Sequence, residues 1–218
     1  MRHSSWSRLF ALPFVFILAV MAWAGGPQSQ KKNSEEATER EDETILLPTK
    51  KIVKFGEVTP TLFRGGQPNA EGLAALKKMG IAIVVDMRSG DRDDEKEAVT
   101  QLGMEYHHIP WHCPFPSDEA LAKFLKVIEE NPGKKVFVHC RLGDDRTGMA
   151  VASYRMAEQR WSAEEAMKEM HDFGFSGMHH VICPGLASYE KSFPERLKKN
   201  SAFKDLSPHS AAAKDSAK

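Results

Sequence analysis

Cys140, Arg146 and Thr147 stand at a spacing suited to phosphate chemistry. Cys140 follows the run Val136–Val138, whose β-branched and aromatic residues predict a short buried strand. Five residues, Arg141, Leu142, Gly143, Asp144 and Asp145, separate the thiol from Arg146. Thr147 then opens Gly148–Gln159, which is patterned as a helix. A thiol, a short loop and an arginine at a helix start make a cradle for an oxyanion. Loop and first-turn N–H groups can converge there, and the helix dipole favours negative charge. The Arg146 guanidinium adds a planar fork that matches two phosphate oxygens. The same positive surroundings favour the thiolate form of Cys140, a nucleophile. The plainer alternative makes Cys140 a packed core cysteine and Arg146 a surface residue. Arg146-Thr147 and the flanking elements, all at the right spacing, speak against it.

His139-Cys140, five residues, then Arg146-Thr147-Gly148 resembles the signature loop of the protein tyrosine phosphatase superfamily. Phe63–Pro68, FRGGQP, resembles the YRSGQP-like segment that opens atypical dual-specificity phosphatase domains of the bacterial and plant-fungal type. Asp86-Met87-Arg88 resembles their Asp-Leu-Arg segment. The resemblance covers roughly Lys51–Phe193. It implies two-step phosphoryl transfer through a cysteinyl-phosphate on Cys140. Arg146 and the loop amides would hold the phosphate oxygens, which assigns phosphate binding to Arg141, Leu142, Gly143, Asp144, Thr147 and Gly148. The Thr147 hydroxyl would stabilise the departing thiolate, and His139 would tune Cys140 through the backbone. No cofactor and no metal are implied. His107, His108 and His112 run along a strand and loop without metal-ligand spacing.

A leaving oxygen needs a proton donor. Many phosphatases that this sequence resembles carry it in a Trp-Pro-Asp loop. Here the matching stretch is Trp111-His112-Cys113-Pro114, without the Asp. Asp145, immediately before Arg146, is the preferred general acid, because a carboxyl beside a bound dianion holds its proton more firmly. Asp118 and Asp86 are the alternatives. Arg141 and Arg146 are formally offset by Asp144 and Asp145, which points away from the most highly anionic substrates. Phosphotyrosine, phosphoserine or phosphothreonine peptides and small phosphate esters are the expected substrates. Two other readings compete. A rhodanese-like sulfurtransferase also sets a Cys loop before a helix, but lacks the Arg-Thr-Gly ending. A catalytically weak module that only binds phosphate esters would keep the same cradle.

The chain has 218 residues and a formal net charge of zero, so nothing points to nucleic acid. Met1–Ala24 reads as a signal peptide, with Arg2 and Arg8 before an apolar run and Ala22-Trp23-Ala24 before Gly25. The expected location is secreted or periplasmic, and contact with a membrane is expected only if that segment stays uncleaved. Residues 25–50 are charge-dense and read as a disordered linker. In an oxidising compartment an odd set of three cysteines leaves one thiol free unless it pairs with another chain. Cys113 and Cys183 either pack, pair with each other, or leave Cys113 near Cys140 to form a protective disulfide.

Strands are expected over Lys51–Val58, Thr61–Arg64, Ile81–Asp86, Met104–Ile109 and Val136–Val138. Helices are expected after Asn69, over Asp91–Leu102, after Ser117, over Gly148–Gln159, after the Ser162-x-x-Glu165 capping box and over Pro184–Lys198. Such alternation predicts an α/β three-layer sandwich with a mostly parallel central sheet flanked by helices. The domain is expected over 51–199, with a disordered tail at 200–218. The resemblance implies the same fold.

Overall fold

The computed structural model describes residues 50–90, 92–176, 178, 181 and 183–206. The expected signal peptide, all but the last residue of the linker, the tail from Ser207 and the pair His179-His180 lie outside the described residues.

Five strands form one mixed sheet: β1 Gly56–Thr59, β2 Leu62–Gly65, β3 Ile81–Asp86, β4 Glu105–His108 and β5 Lys135–His139. Their order is β1-β2-β5-β3-β4. β1 runs antiparallel to β2, and every other pairing is parallel. The helices are α1 Ala70–Lys78, α2 Asp93–Gln101, α3 Asp118–Glu129, α4 Asp145–Glu158, α5 Ala163–Asp172 and α6 Leu186–Lys199. The register aligns Gly65 with His139 and Asp86 with both His139 and His108. The carboxyl ends of four strands therefore finish in one row, and Cys140 emerges from its middle.

The sheet is buried on both faces, which is why β3 and β5 read as continuous apolar runs. Phe63, Val84 and Phe137 pack with Leu73, Leu76 and Val99 of α1 and α2. Ile83, Val85, Val136 and Val138 pack on the other face with residues of α3, α4, α5 and α6. The expected caps form. Asn69 Oδ1 accepts the Gly72 N–H at 2.8 Å, Ser117 Oγ accepts the Ala120 N–H at 3.2 Å, and Ser162 and Glu165 make the reciprocal box.

Three boundaries differ from expectation. The first strand begins at Gly56 because Lys54 adopts a left-handed φ of 52° and turns the chain. Ile52 before it is buried among α1 and β5 residues. Helix α4 begins at Asp145, two residues before Thr147, because the Asp144 carboxylate caps it by accepting the Asp145 N–H at 3.0 Å. The tail is ordered through Leu206: Ser201–Phe203 is a 3₁₀ turn, and Phe203 is buried edge-on against Phe193 at 5.4 Å. A single buried aromatic outweighs the polar composition around it.

Cys113 and Cys183 form a disulfide, with Cα atoms 5.2 Å apart. The expected alternative, a Cys113–Cys140 bond, does not occur, and Cys140 is a buried free thiol. The bond ties the loop after β4 to the turn before α6 and closes 70 residues of sequence. Its reduction is expected to cost about 4 kcal/mol. Thermal unfolding with and without reductant should differ in Tm by roughly 10 °C.

Glu190 on α6 is 1% exposed, and among the described residues neither carboxylate oxygen has a hydrogen-bond partner. Burial, with a smaller push from Glu164, raises its pKa from 4.5 to about 8. The folded chain then keeps a proton that the unfolded chain releases. Stability from this group is therefore full below about pH 4.5 and declines until about pH 8. Glu190→Gln should flatten that decline and raise Tm at pH 9 on the order of 5 °C, read by calorimetry across pH.

Candidate active site

The loop from Cys140 to Asp145 joins the end of β5 to the start of α4. The Gly143 N–H points at Cys140 Sγ, 3.3 Å away. Three loop carbonyls face outward. Arg141 O accepts the Gln67 N–H at 3.3 Å, Gly143 O accepts Arg64 Nη2 at 3.0 Å, and Cys140 O lies 3.4 Å from His139 Nδ1. Each peptide is planar and trans, so the N–H that follows each of these carbonyls points the opposite way, into the cradle. Those are the amides of Arg141 and Leu142, while the Asp144 N–H also meets its own carboxylate. Gly143 has a φ of +81°, and a Cβ there would lie 2.6 Å from the Gly66 backbone nitrogen. Only glycine fits. The FRGGQP segment is thus the floor on which the loop is moulded.

Arg141 and Leu142 are exposed at the rim, and Arg146 is half-buried in the first turn of α4. Thr147 is fully buried, and its hydroxyl donates to Gly65 O at 3.3 Å. Gly148 departs from its expected role. Its N–H donates to Asp144 O at 2.6 Å and closes the first helical turn, so that amide is not offered to a phosphate. A Cβ on Gly148 would press on Met170 of α5, which explains the residue by packing.

The acidic candidates separate clearly. The Asp144 carboxylate is buried and ion-paired with Lys54 Nζ at 2.7 Å. Burial pushes its pKa up, but Lys54 and the Asp145 N–H outweigh burial and hold it below the usual carboxylate range. Its charge is met inside the protein, so the formal balance of the loop overstates how much Asp144 offsets the cradle. Asp118 is 6% exposed and accepts from Tyr189 Oη, from Arg196 Nη1 at 3.1 Å and from Asn200 Nδ2. It pins the start of α3 to α6 and is no proton donor for the loop. Asp86 is fully buried between Arg88, at 2.5 to 3.0 Å, and Tyr106 Oη, at 2.8 Å. Burial opposes its charge, yet Arg88 keeps its pKa lowered. It is a locked carboxylate and is also excluded. Asp145 is half-buried at the first position of α4, adjoining the loop, with Oδ2 3.4 Å from the sulfur of Cys183. That sulfur is in the disulfide and carries no proton, so the approach is a packing contact.

Glu95, Lys54 and Arg64 support the loop from behind. Glu95 of α2 pairs with Arg88 and accepts from Gln67 Nε2 at 3.3 Å. His139 Nε2 approaches Glu95 Oε1 at 2.7 Å without hydrogen-bond alignment. Asp86, Glu95 and His139 bring ligand atoms within 4.8 Å of one another. The Arg88 guanidinium already meets two of these three and takes the place of a cation. Glu95 and Lys54 carry no sequence signal, since each looks like part of a solvated charged face. Arg64 lies inside FRGGQP, a segment that only the resemblance singles out. Beside the loop lies a polar cleft of about 400 Å³, lined by Gln67, Arg88, Ser89, Arg92, Arg141 and Arg146, with Asp94 opposite in sign.

The model of a family described as DSP-PTPase phosphatase fused to NAD+ kinase matches residues 50–181. Dual specificity protein phosphatase TpbA of Pseudomonas aeruginosa is 32% identical over 125 residues, 56% of each chain, so the present chain spans about half the length of that relative. A probable tyrosine-protein phosphatase of Dictyostelium discoideum, DG1060, is 30% identical over 132 residues, 57% of this chain and 78% of its own. Among solved structures, TpbA in complex with pTyr has a TM-score of 0.57 at 22% identity, covering 67% of this chain and 91% of that one. The catalytic core of the PP-IP phosphatase SIW14 from S. cerevisiae gives 0.54 at 16% identity, over 70% and 96%. At these identities the structures establish likeness of fold. The match of a family model to more than half the chain, around a moulded Cys140 loop, makes the conclusion plain: the chain belongs to the DSP-PTPase family of cysteine phosphatases.

Proposed function

We propose that this protein hydrolyses phosphate monoesters with Cys140 as nucleophile and Asp145 as proton donor, in an oxidising compartment outside the cytoplasm. The observation that carries the reading is the cradle itself: a buried thiol with an amide N–H on its sulfur and neighbouring carbonyls turned outward. The Cys140 thiolate attacks phosphorus, the P–O bond to the leaving group breaks, and Asp145 gives that oxygen its proton. Arg146 and the inward amides hold the equatorial oxygens throughout. Water then attacks the cysteinyl-phosphate, Asp145 takes a proton from it, and the P–S bond breaks. Inorganic phosphate and the thiolate leave the cycle balanced. The Thr147 hydroxyl, donated to Gly65 O in this structure, must rotate if it is to meet the departing sulfur.

The Cys113–Cys183 bond supports the export reading, since such bonds persist in oxidising compartments. Phosphotyrosine is the first substrate to test, because TpbA is described in complex with pTyr. A second substrate reading, an ester bearing another anionic group, is favoured by the arginine-lined cleft and the internal pairing of Asp144. The test is hydrolysis of p-nitrophenyl phosphate, a phosphotyrosine peptide and a bisphosphorylated ester, with chelator present. Turnover of any of them supports the reading, and the ratio of kcat/KM values ranks the substrates. A folded protein that binds phosphate and turns over none of the three contradicts it.

A further inference from the structure

Arg64 is fully buried on β2, opposite Val138 of β5, so it lies beneath the Cys140 loop. One guanidinium nitrogen, Nη2, donates to Gly143 O at 3.0 Å. The flat face stacks on the Phe173 ring, 3.8 Å from its centre. Among the described residues, Nε and Nη1 have no hydrogen-bond partner. A buried cation left this incompletely met lowers stability unless a nearby anion compensates it.

Glu169 and Asp144 both act on this cation, and each is also held by another cation. Glu169 of α5 is held by Arg155 of α4 through contacts of 2.6 and 3.0 Å. Asp144 is held by Lys54 at 2.7 Å. His139 of β5 faces Glu95 on the other side of the strand end. Arg141, Asp144, Asp145 and Arg146 are the charged residues of the loop and first helical turn that follow Cys140. Cys140 also lies near enough for a charge on its sulfur to act on the guanidinium, after Glu169 in strength. Burial pulls the Arg64 pKa down to about 10 despite these acids, which accords with incomplete compensation.

We propose that Arg64 is a positioning residue for catalysis: its buried charge is the counter-ion of the Cys140 thiolate, and its hydrogen bond to Gly143 O keeps the adjoining amides turned toward the phosphate. This rests on Cys140 being the nucleophile. A purely structural Arg64 would anchor the loop without affecting the ionisation of the sulfur. The two roles separate by experiment.

The full chain is alkylated with iodoacetamide across pH, without reductant so that Cys113 and Cys183 stay bonded, and modification of Cys140 is followed by mass spectrometry. Arg64→Met and Arg64→Gln both remove the charge, and Gln covers the case in which Met does not fold. Arg64→Lys restores it. The midpoint of alkylation should rise by about one pH unit or more in the neutral variants and return toward wild type with Lys. The kcat for p-nitrophenyl phosphate should fall at least about tenfold in the neutral variants, with a smaller change in KM. A folded neutral variant with the wild-type midpoint overturns the proposal, as does a Lys variant shifted as far as Met. Because alkylation is read without turnover, a protein with no phosphatase activity but a shifted midpoint would sink the functional reading and leave the role of Arg64 standing.

Discussion

Cys140→Ser should leave a folded protein that still binds inorganic phosphate and hydrolyses no phosphate ester at a measurable rate. The side chain is 1% exposed, and serine fills nearly the same space. Its hydroxyl can still accept the Gly143 N–H that now meets the sulfur, so the loop keeps its form. What goes is the nucleophile: a serine hydroxyl beside these groups has no general base to ionise it, whereas a thiol ionises far more readily. Removing a nucleophile of this kind costs about 10⁴-fold or more in kcat. Phosphate affinity, measured by calorimetry, should change by less than about fivefold, because Arg146 and the inward amides remain. Residual turnover above about one hundredth of wild type would mean that Cys140 is not the attacking group.

The second large effect belongs to Asp145→Asn. Asp86 and Asp118 are locked in buried ion pairs, and Asp144 is bound to Lys54. Asp145 adjoins the loop at the first position of α4. Loss of a general acid typically costs about 10²- to 10⁴-fold. The size should depend on the leaving group. A phosphoserine ester, whose alkoxide is a poor leaving group, should lose about 10²-fold or more, and p-nitrophenyl phosphate markedly less. The alkaline fall of kcat, where the donor has lost its proton, should flatten. Equal losses on both esters with an unchanged alkaline limb would place the proton donor elsewhere.

Much of this site was legible because local chemistry fixes it. A β-branched strand, a Cys, five residues and Arg-Thr-Gly can close only as strand, loop and helix. The caps at Asn69, Ser117 and Ser162 were readable for the same local reason. The residues that hold the loop from behind were not. Glu95 lies 45 positions from Cys140 in a helix of acids and lysines that reads as a solvated face, and only the parallel register of β3 and β5 brings it to His139. Lys54 depends on a left-handed turn without a glycine to announce it. Gly148 illustrates the opposite error. Inside a signature it was assigned to phosphate, whereas its amide closes the helix. Cys113 lies in the loop after β4, and its partner could be decided only by where α6 begins.

The most direct test of the central claim is to trap the covalent intermediate. Asp145→Asn, slowed in hydrolysis of the phosphoenzyme, is mixed with p-nitrophenyl phosphate, quenched in acid and digested for mass spectrometry. If Cys140 is the nucleophile, the peptide bearing it gains the mass of one phosphoryl group, and the Cys140→Ser variant gains none. Turnover with no phosphoryl group on Cys140 at any quench time, or with the group on another residue, would contradict it.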